Sequence, residues 1–137
     1  MPSVSVNAPC PCGSGHKYKR CCRPLHAGAP ASSPEALMRS RYCAYALGEV
    51  DYLLATTHPE GPHFRSDTRE WRADVAQFCT STRFEGLEIQ LSREQGDRGE
   101  VRFFARLSRE GRDVSFVEHS VFVREGGRWL YLSGEGE

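Results

Sequence analysis

Four of the chain's six cysteines fall within thirteen residues, as Cys10-Pro11-Cys12, eight intervening residues, and Cys21-Cys22. That spacing constrains the local fold severely. Adjacent Cys21 and Cys22 can form a disulfide only in a strained ring, and Cys10 and Cys12 are little better placed. Four soft sulfur donors close in sequence instead suit one tetrahedral zinc ion, and iron is accommodated by the same donors. Gly13-Ser14-Gly15 lets the backbone reverse between the two pairs, and Tyr18 can pack beside the metal as a miniature core. So short a segment cannot fold on apolar burial, so the ion would supply its folding free energy. Four thiolates leave no coordination position for a substrate, which predicts a structural centre. Cys22 is the least secure of the four ligands. His16 and His26 can each replace a sulfur, His26 being the leading substitute.

The remainder of the 137 residues is long enough for one ordinary core. Apolar residues make up 39% and charged residues 26%, the balance of a globular chain. No apolar run approaches the roughly 20 residues of a membrane span. The start, MPSVSVNAPCPCGSG, lacks a basic stretch followed by an apolar one, so no secretory signal is expected and a cytoplasmic location follows. Clustered rather than dispersed cysteines agree with a reducing compartment. The formal charge of zero argues against a chain-wide nucleic-acid footprint. Up to Gly28, however, the only charged side chains are Lys17, Lys19, Arg20 and Arg23. Four thiolates on a divalent cation would offset about half of that local excess.

Residues 1–9 show no apolar period and read as a flexible leader within a module of residues 1–28. Residues 29–33, rich in Ala, Pro and Ser, read as a linker. Ser33-Pro34 is a helix start, and Pro34 to Leu47 places Leu37, Arg41, Ala44 and Leu47 on one side before Gly48 closes it. A second helix is predicted over Glu49 to Thr57, before Pro59, and a third over Arg69 to Cys79, where Trp71, Val75 and Phe78 recur at helical intervals. Beyond Thr82 the period becomes two. Leu87 to Leu91, Val101 to Leu107, Val114 to Val123 and Trp129 to Leu132 read as strands of an antiparallel meander, separated by Gln95 to Gly99, Glu110 to Asp113 and Gly126-Gly127. Helices followed by a meander predict an α+β domain over residues 34–137. Cys43 and Cys79, isolated in predicted helices, read as small buried hydrophobes. Trp71, Phe84, Phe103, Phe104, Phe116, Phe122, Trp129 and Tyr131 read as core, with stacking on a base the less favoured alternative for Phe104, between Arg102 and Arg106, against core or interface.

The segment CPCGSGHKYKRCC resembles the SEC-C motif, the metal-binding module found at the C-terminus of the SecA translocation ATPase. That resemblance implies zinc on Cys10, Cys12, Cys21 and Cys22, the last position being Cys or His in the family, and a module that contacts other proteins, with ribosomes also implicated. The stretches LMRSRYCAYALGEVDYLLATTHP and VEHSVFVREGGRWLYLSGE resemble the bacterial YchJ-like (UPF0225) family, in which a SEC-C motif precedes an NTF2-like (cystatin-like) cone. The resemblance implies about three helices followed by a curved four-stranded antiparallel sheet, and it covers most of the chain. Two departures stand out. Ser133-Gly134-Glu135-Gly136-Glu137 carries no second cysteine motif, and His119 stands where the family pattern leads one to expect Arg.

An NTF2-like cone can enclose a ligand cavity. Candidate polar linings are Arg39, Arg41, Tyr42, His58, Glu118 and His119. Glu118 shares its predicted strand face with Phe116 and Phe122, so it needs a partner, and Arg41 on the inner side of the first helix is the expected one. Glu118 and His119 can also be read as a general base and acid, but the favoured reading is a Glu–Arg pair fixing helix to sheet, with His58 capping a helix end. The function expected is that of a noncatalytic adaptor whose basic zinc module meets a protein or ribosomal partner. A small-molecule binder or enzyme working in the cone is the alternative, and either is compatible with a homodimer.

Overall fold

The computed structural model describes residues 4–136. Residues 1–3 of the expected flexible leader lie outside that range. Residues 4–9, by contrast, are built into the cysteine module. Lys19 N donates to Val6 O and Tyr18 N to Ala8 O, each at 2.9 Å, and Val4 packs against the cysteines. Their lack of apolar periodicity concealed this, because backbone pairing rather than side-chain burial orders them. A single-turn 3-10 segment (Tyr18–Arg20) and a short helix α1 (Cys22–His26) complete the module.

Helix α2 (Pro34–Leu47) begins where the sequence predicts: the Ser33 side chain accepts a hydrogen bond from Ala36 N at 3.0 Å, Pro34 occupies the first turn, and Gly48 closes the helix at φ 75°. Its buried residues, Pro34, Leu37, Met38, Ser40, Arg41, Tyr42, Cys43 and Ala44, spread around the helix rather than along one stripe. The reason is that α2 packs against the sheet and also against α1. Helix α3 (Val50–Ala55) is shorter than predicted. Thr56 and Thr57 leave it to meet the last strand, with Tyr131 N donating to Thr56 O and His58 N to Tyr131 O, both at 2.8 Å. Helix α4 (Thr68–Ser81) is capped by the Asp67 carboxylate on Glu70 N.

Strands β1 (Arg83–Gln95), β2 (Arg98–Arg109), β4 (Phe116–Glu125) and β5 (Arg128–Gly136) form an antiparallel meander, with the two-residue β3 (Arg112–Asp113) pairing back onto β2. The strands outrun their apolar cores because hairpin pairing continues into exposed residues, except that β4 begins at Phe116 and leaves Val114, predicted to start it, outside the strand and exposed. Gly126 and Gly127 both hold positive φ, 59° and 77°, the backbone that a tight two-residue hairpin requires. Register shifts at Phe84/Gly86, Ile89/Leu91 and Val121/Phe122 bend the sheet around α2. Val101, Phe103, Ala105 and Leu107 of β2 and Phe122 of β4 meet Leu37, Met38 and Tyr42 of α2, with Trp129 and Tyr131 closing the core. Residues 29–33 are tied down as well, since Ala31 packs on that core. Among the predicted core aromatics Phe116 is the exception, at 38% exposed.

Helix and sheet approach closely at Gly99. A Cβ there would overlap Pro34 Cγ and lie 2.8 Å from Pro34 Cβ, and Pro34 is itself fully buried. Gly99→Ala should therefore destabilise the domain by about 1–3 kcal/mol through overpacking. Urea unfolding checks this, and an unchanged midpoint would show that α2 can shift freely over the sheet.

Candidate metal centre and cone cavity

The reversal at Gly13, φ 78°, and the turn through Tyr18 bring Cys10 and Cys12 over the start of α1, which presents Cys21 and Cys22. All four sulfurs lie within 4.8 Å of one another. The Cys12–Cys21 separation is 3.5 Å and the Cys21–Cys22 separation 3.9 Å. A tetrahedron with Zn–S bonds of about 2.3 Å has edges of about 3.8 Å. The donor set therefore fits a zinc-sized ion, and when bound the ion would cross-link the two halves of the module. Cys10, Cys12 and Cys22 are buried and Cys21 is half-buried. Hydrogen bonds with Cys12, Cys22 and Cys43 hold the Cys10 thiol well below its usual range, while burial pushes Cys21 up to about 11. Ser14 Oγ lies 3.1 Å from Cys21 Sγ, a hydroxyl in place to orient that ligand.

His26 stands behind the cluster rather than in it. Its Nε2 lies 2.9 Å from Ser40 O, an acceptor only, so Nε2 carries the proton; Nδ1 then accepts from Tyr18 Oη at 2.8 Å. Both ring nitrogens are thus engaged, and Cys22 is the sulfur that completes the set. Burial pushes the Tyr18 phenol up to about 12, which keeps that donor protonated. Two further contacts dock the module on α2. Arg39 donates from Nη1 to Cys12 O at 3.0 Å, and Cys43 places its sulfur 3.8 Å from that of Cys10. Cys43 is fully buried in the cysteine cluster, not isolated as its sequence context suggested. No local pattern could have revealed it, since 33 positions separate it from Cys10. Cys79 does behave as a buried hydrophobe, its thiol pushed up to about 11 by burial.

A cavity of about 420 Å³ opens between the sheet and helices α2 and α4. Of the six candidate linings, it brings together Arg41, Tyr42 and Glu118 and excludes the other three. Arg39 serves the metal module. His58, rather than capping a helix, contacts Glu125 Oε2 through Nε2 at 2.7 Å and accepts from Glu60 N. His119 points to the opposite face of β4 and contacts Glu100 Oε1 at 3.0 Å, so it cannot act with Glu118 as an acid–base pair. The expected Glu118–Arg41 ion pair does not form either. Glu118 Oε2 instead accepts from Ser120 Oγ at 2.6 Å and Tyr131 Oη at 3.1 Å. Arg41 lies over the Tyr131 ring, 4.6 Å from its centroid, and donates from Nη1 to Leu53 O, Thr56 Oγ1 and Thr57 Oγ1. Burial, then the Glu118 charge, pushes the Tyr131 phenol up, so it remains the donor. Tyr131 is the residue that sequence reasoning passed over: alternation put it on the inner face, but only the fold sets it between the two charges. Phe104 lies beneath Arg106 on the outer face, not in the cavity.

Residues 33–134 match the family described as YchJ, middle NTF2-like domain, and residues 7–24 match the SEC-C motif. UPF0225 protein XOO0258 of Xanthomonas oryzae pv. oryzae is 42% identical over 134 residues, covering 96% of this chain and 98% of the relative. The solution structure of RPA3114, a SEC-C motif containing protein from Rhodopseudomonas palustris, superposes with a TM-score of 0.81 at 40% identity, covering 95% of this chain and 99% of that one. The crystal structure of a SEC-C motif containing protein from Psychrobacter arcticus shares the fold with a TM-score of 0.77 at 23% identity, covering 93% and 82% of the two chains. No helix among the described residues is long and apolar enough to cross a membrane.

Proposed function

The chain belongs to the YchJ-like (UPF0225) family, a SEC-C motif joined to an NTF2-like domain, and on that footing we propose that it is a noncatalytic, zinc-stabilised adaptor of the cytoplasm whose SEC-C face docks on an acidic protein surface. One observation carries the reading. Lys17, Lys19, Arg20 and Arg23 are all exposed, and none makes a side-chain hydrogen bond or ion pair among the described residues. Cations left unpaired beside a rigid metal knuckle are suited to steering and registering an anionic partner. A protein surface is favoured over RNA because Tyr18, the one Phe, Tyr or Trp of the module, is buried, which leaves His16 as its one exposed ring among the described residues. The zero net charge also lacks the basic excess that RNA binding normally shows. Zinc on Cys10, Cys12, Cys21 and Cys22 would hold together the knuckle that Arg39 and Cys43 dock on α2, and so fix the spacing of these cations.

The test is a photo-crosslinking residue substituted at Arg20 of the intact chain in living bacteria. A discrete protein adduct is expected, and it should vanish in the Cys10→Ser, Cys21→Ser double variant and in Lys17→Glu, Lys19→Glu, Arg23→Glu. Its yield from lysate should fall as salt rises from about 0.05 to about 0.5 M, because exposed charges more than a Debye length apart are screened. Adducts to RNA alone, or a yield indifferent to charge reversal, would refute the reading.

A further inference from the structure

Among the described residues that line the cone cavity, only one cation lacks an acidic partner. Arg65 is committed to Asp74 at 2.6 Å and Glu70 at 3.2 Å. Arg41, 5% exposed, has no carboxylate within ion-pair distance among the described residues. Its three hydrogen bonds all leave from Nη1, toward the C-terminal end of α3, and they fix the guanidinium in place. Nε and Nη2 have no hydrogen-bond partner. They are not sealed off either, because the single buried side-chain polar atom without a partner among the described residues is Arg109 Nε. The two nitrogens therefore keep some accessible surface, and Arg41 is one of the residues that line the cavity. A buried, rigid, half-used guanidinium is a costly arrangement unless an anion completes it, and its free edge is the shape that takes a carboxylate by two parallel hydrogen bonds.

The rest of the cavity defines what the anion is attached to. Tyr45, Trp71, Phe78, Phe84, Phe103 and Phe116 form an aromatic wall, with Phe116 left exposed at the rim. Glu118, held by the Tyr131 hydroxyl, uses only Oε2 and leaves Oε1 without a hydrogen bond. Its complement is a hydrogen-bond donor. We propose that the cone is a binding site for a small aromatic carboxylate bearing a hydroxyl or amino donor, its carboxylate on Arg41 Nε and Nη2, its ring against the aromatic wall, and its donor on Glu118. The volume, about 420 Å³, falls within the range of small-molecule sites. No covalent step is involved, and the site stands independently of the zinc module's partner.

The probe is para-hydroxyphenylacetate, compared with its primary amide, which keeps the shape and loses the charge. On the unmodified, metal-loaded protein the acid should bind at least about tenfold more tightly than the amide, as expected when a charge-assisted pair is lost. It should also shift the Arg41 Nε–H resonance and change the fluorescence of Trp71. Arg41→Gln, if folded by circular dichroism, should bring acid and amide to equal affinity. Should that variant fail to fold, the acid-to-amide ratio on the unmodified protein decides alone. Equal affinities on the unmodified protein, or no saturation by the acid up to about 10 mM, a limit near the weakest specific binding, would overturn the site.

Discussion

Stripping the metal from the intact chain with a strong chelator is expected to unfold residues 4–28 while the α+β domain stays folded. The module's buried side chains are Cys10, Cys12, Tyr18 and Cys22, so without the ion almost nothing apolar holds it. The domain, in contrast, has its own core of Leu37, Val101, Phe103, Phe122 and their neighbours, to which no residue of the module contributes. Structural zinc sites in small modules contribute about 10–16 kcal/mol at neutral pH, comparable to the roughly 5–15 kcal/mol that stabilises a whole domain. A thiol reagent reads the outcome directly. In the metal-loaded protein Cys43 and Cys79 are buried and four sulfurs are held by zinc, so all six cysteines should react slowly. After chelation five should react fast: the four ligands, and Cys43, which is buried in the cluster that the module's cysteines form. Cys79 packs with Ala44 and Leu53 in a separate cluster and should remain slow. The Cys12→Ala variant, which removes a fully buried sulfur, should bind no zinc and show the same pattern without chelator. Release of all six thiols together would mean that the module and domain fold as one unit. A protein that carries no zinc and still protects Cys43 would remove the metal from its structural role.

Much of this arrangement is written locally in the sequence. The cysteine spacing, the Ser33-Pro34 start of α2, and the alternation Val101, Phe103, Ala105, Leu107 each depend on contacts between residues near in sequence or on one face of one element. What was not legible depends on which residue of a different element stands opposite. Alternation correctly put Glu118 inward with Phe122, yet it could not reveal that Ser120 and Tyr131, rather than Arg41, supply its hydrogen bonds. Ser120 lies on the same face of β4 two positions along, but register decides the Tyr131 contact, and here register is displaced by the irregularity at Val121/Phe122. Likewise Arg39 reads as a surface partner of Glu35 at helical spacing, and it makes that bond, but its second bond to Cys12 O spans 27 positions. Cys43 joins the metal module for the same reason: the packing of α1 on α2, not the pattern of α2, puts it there.

Phe122→Ala should be the most damaging single truncation in the domain. Phe122 is the largest of the side chains buried to below 2% exposure, and it sits on β4 at the centre of the sheet, in the cluster that joins α2 to β2 and β5. Its ring meets Tyr131 edge-on at 5.7 Å. Deleting it removes a large apolar surface and leaves a void that a paired β-strand cannot collapse to fill, so a loss of about 3–5 kcal/mol is expected. For a chain of this size that is a fall in melting temperature of about 10–20 °C. Phe122→Leu, which refills most of the volume, should recover more than half of the loss. The consequence extends to the cavity. Tyr131 carries Arg41 over its ring and donates to Glu118, so once its edge contact is lost those two charges are no longer held in register. In Phe122→Ala, below its own melting point, the affinity for para-hydroxyphenylacetate should fall with stability, whereas in Phe122→Leu both should return together. A change in melting temperature of under about 2 °C would show that the core does not depend on this ring. Full stability loss with undiminished binding would show that Tyr131 is positioned by α3 and β5 alone, through the Thr56 and His58 hydrogen bonds.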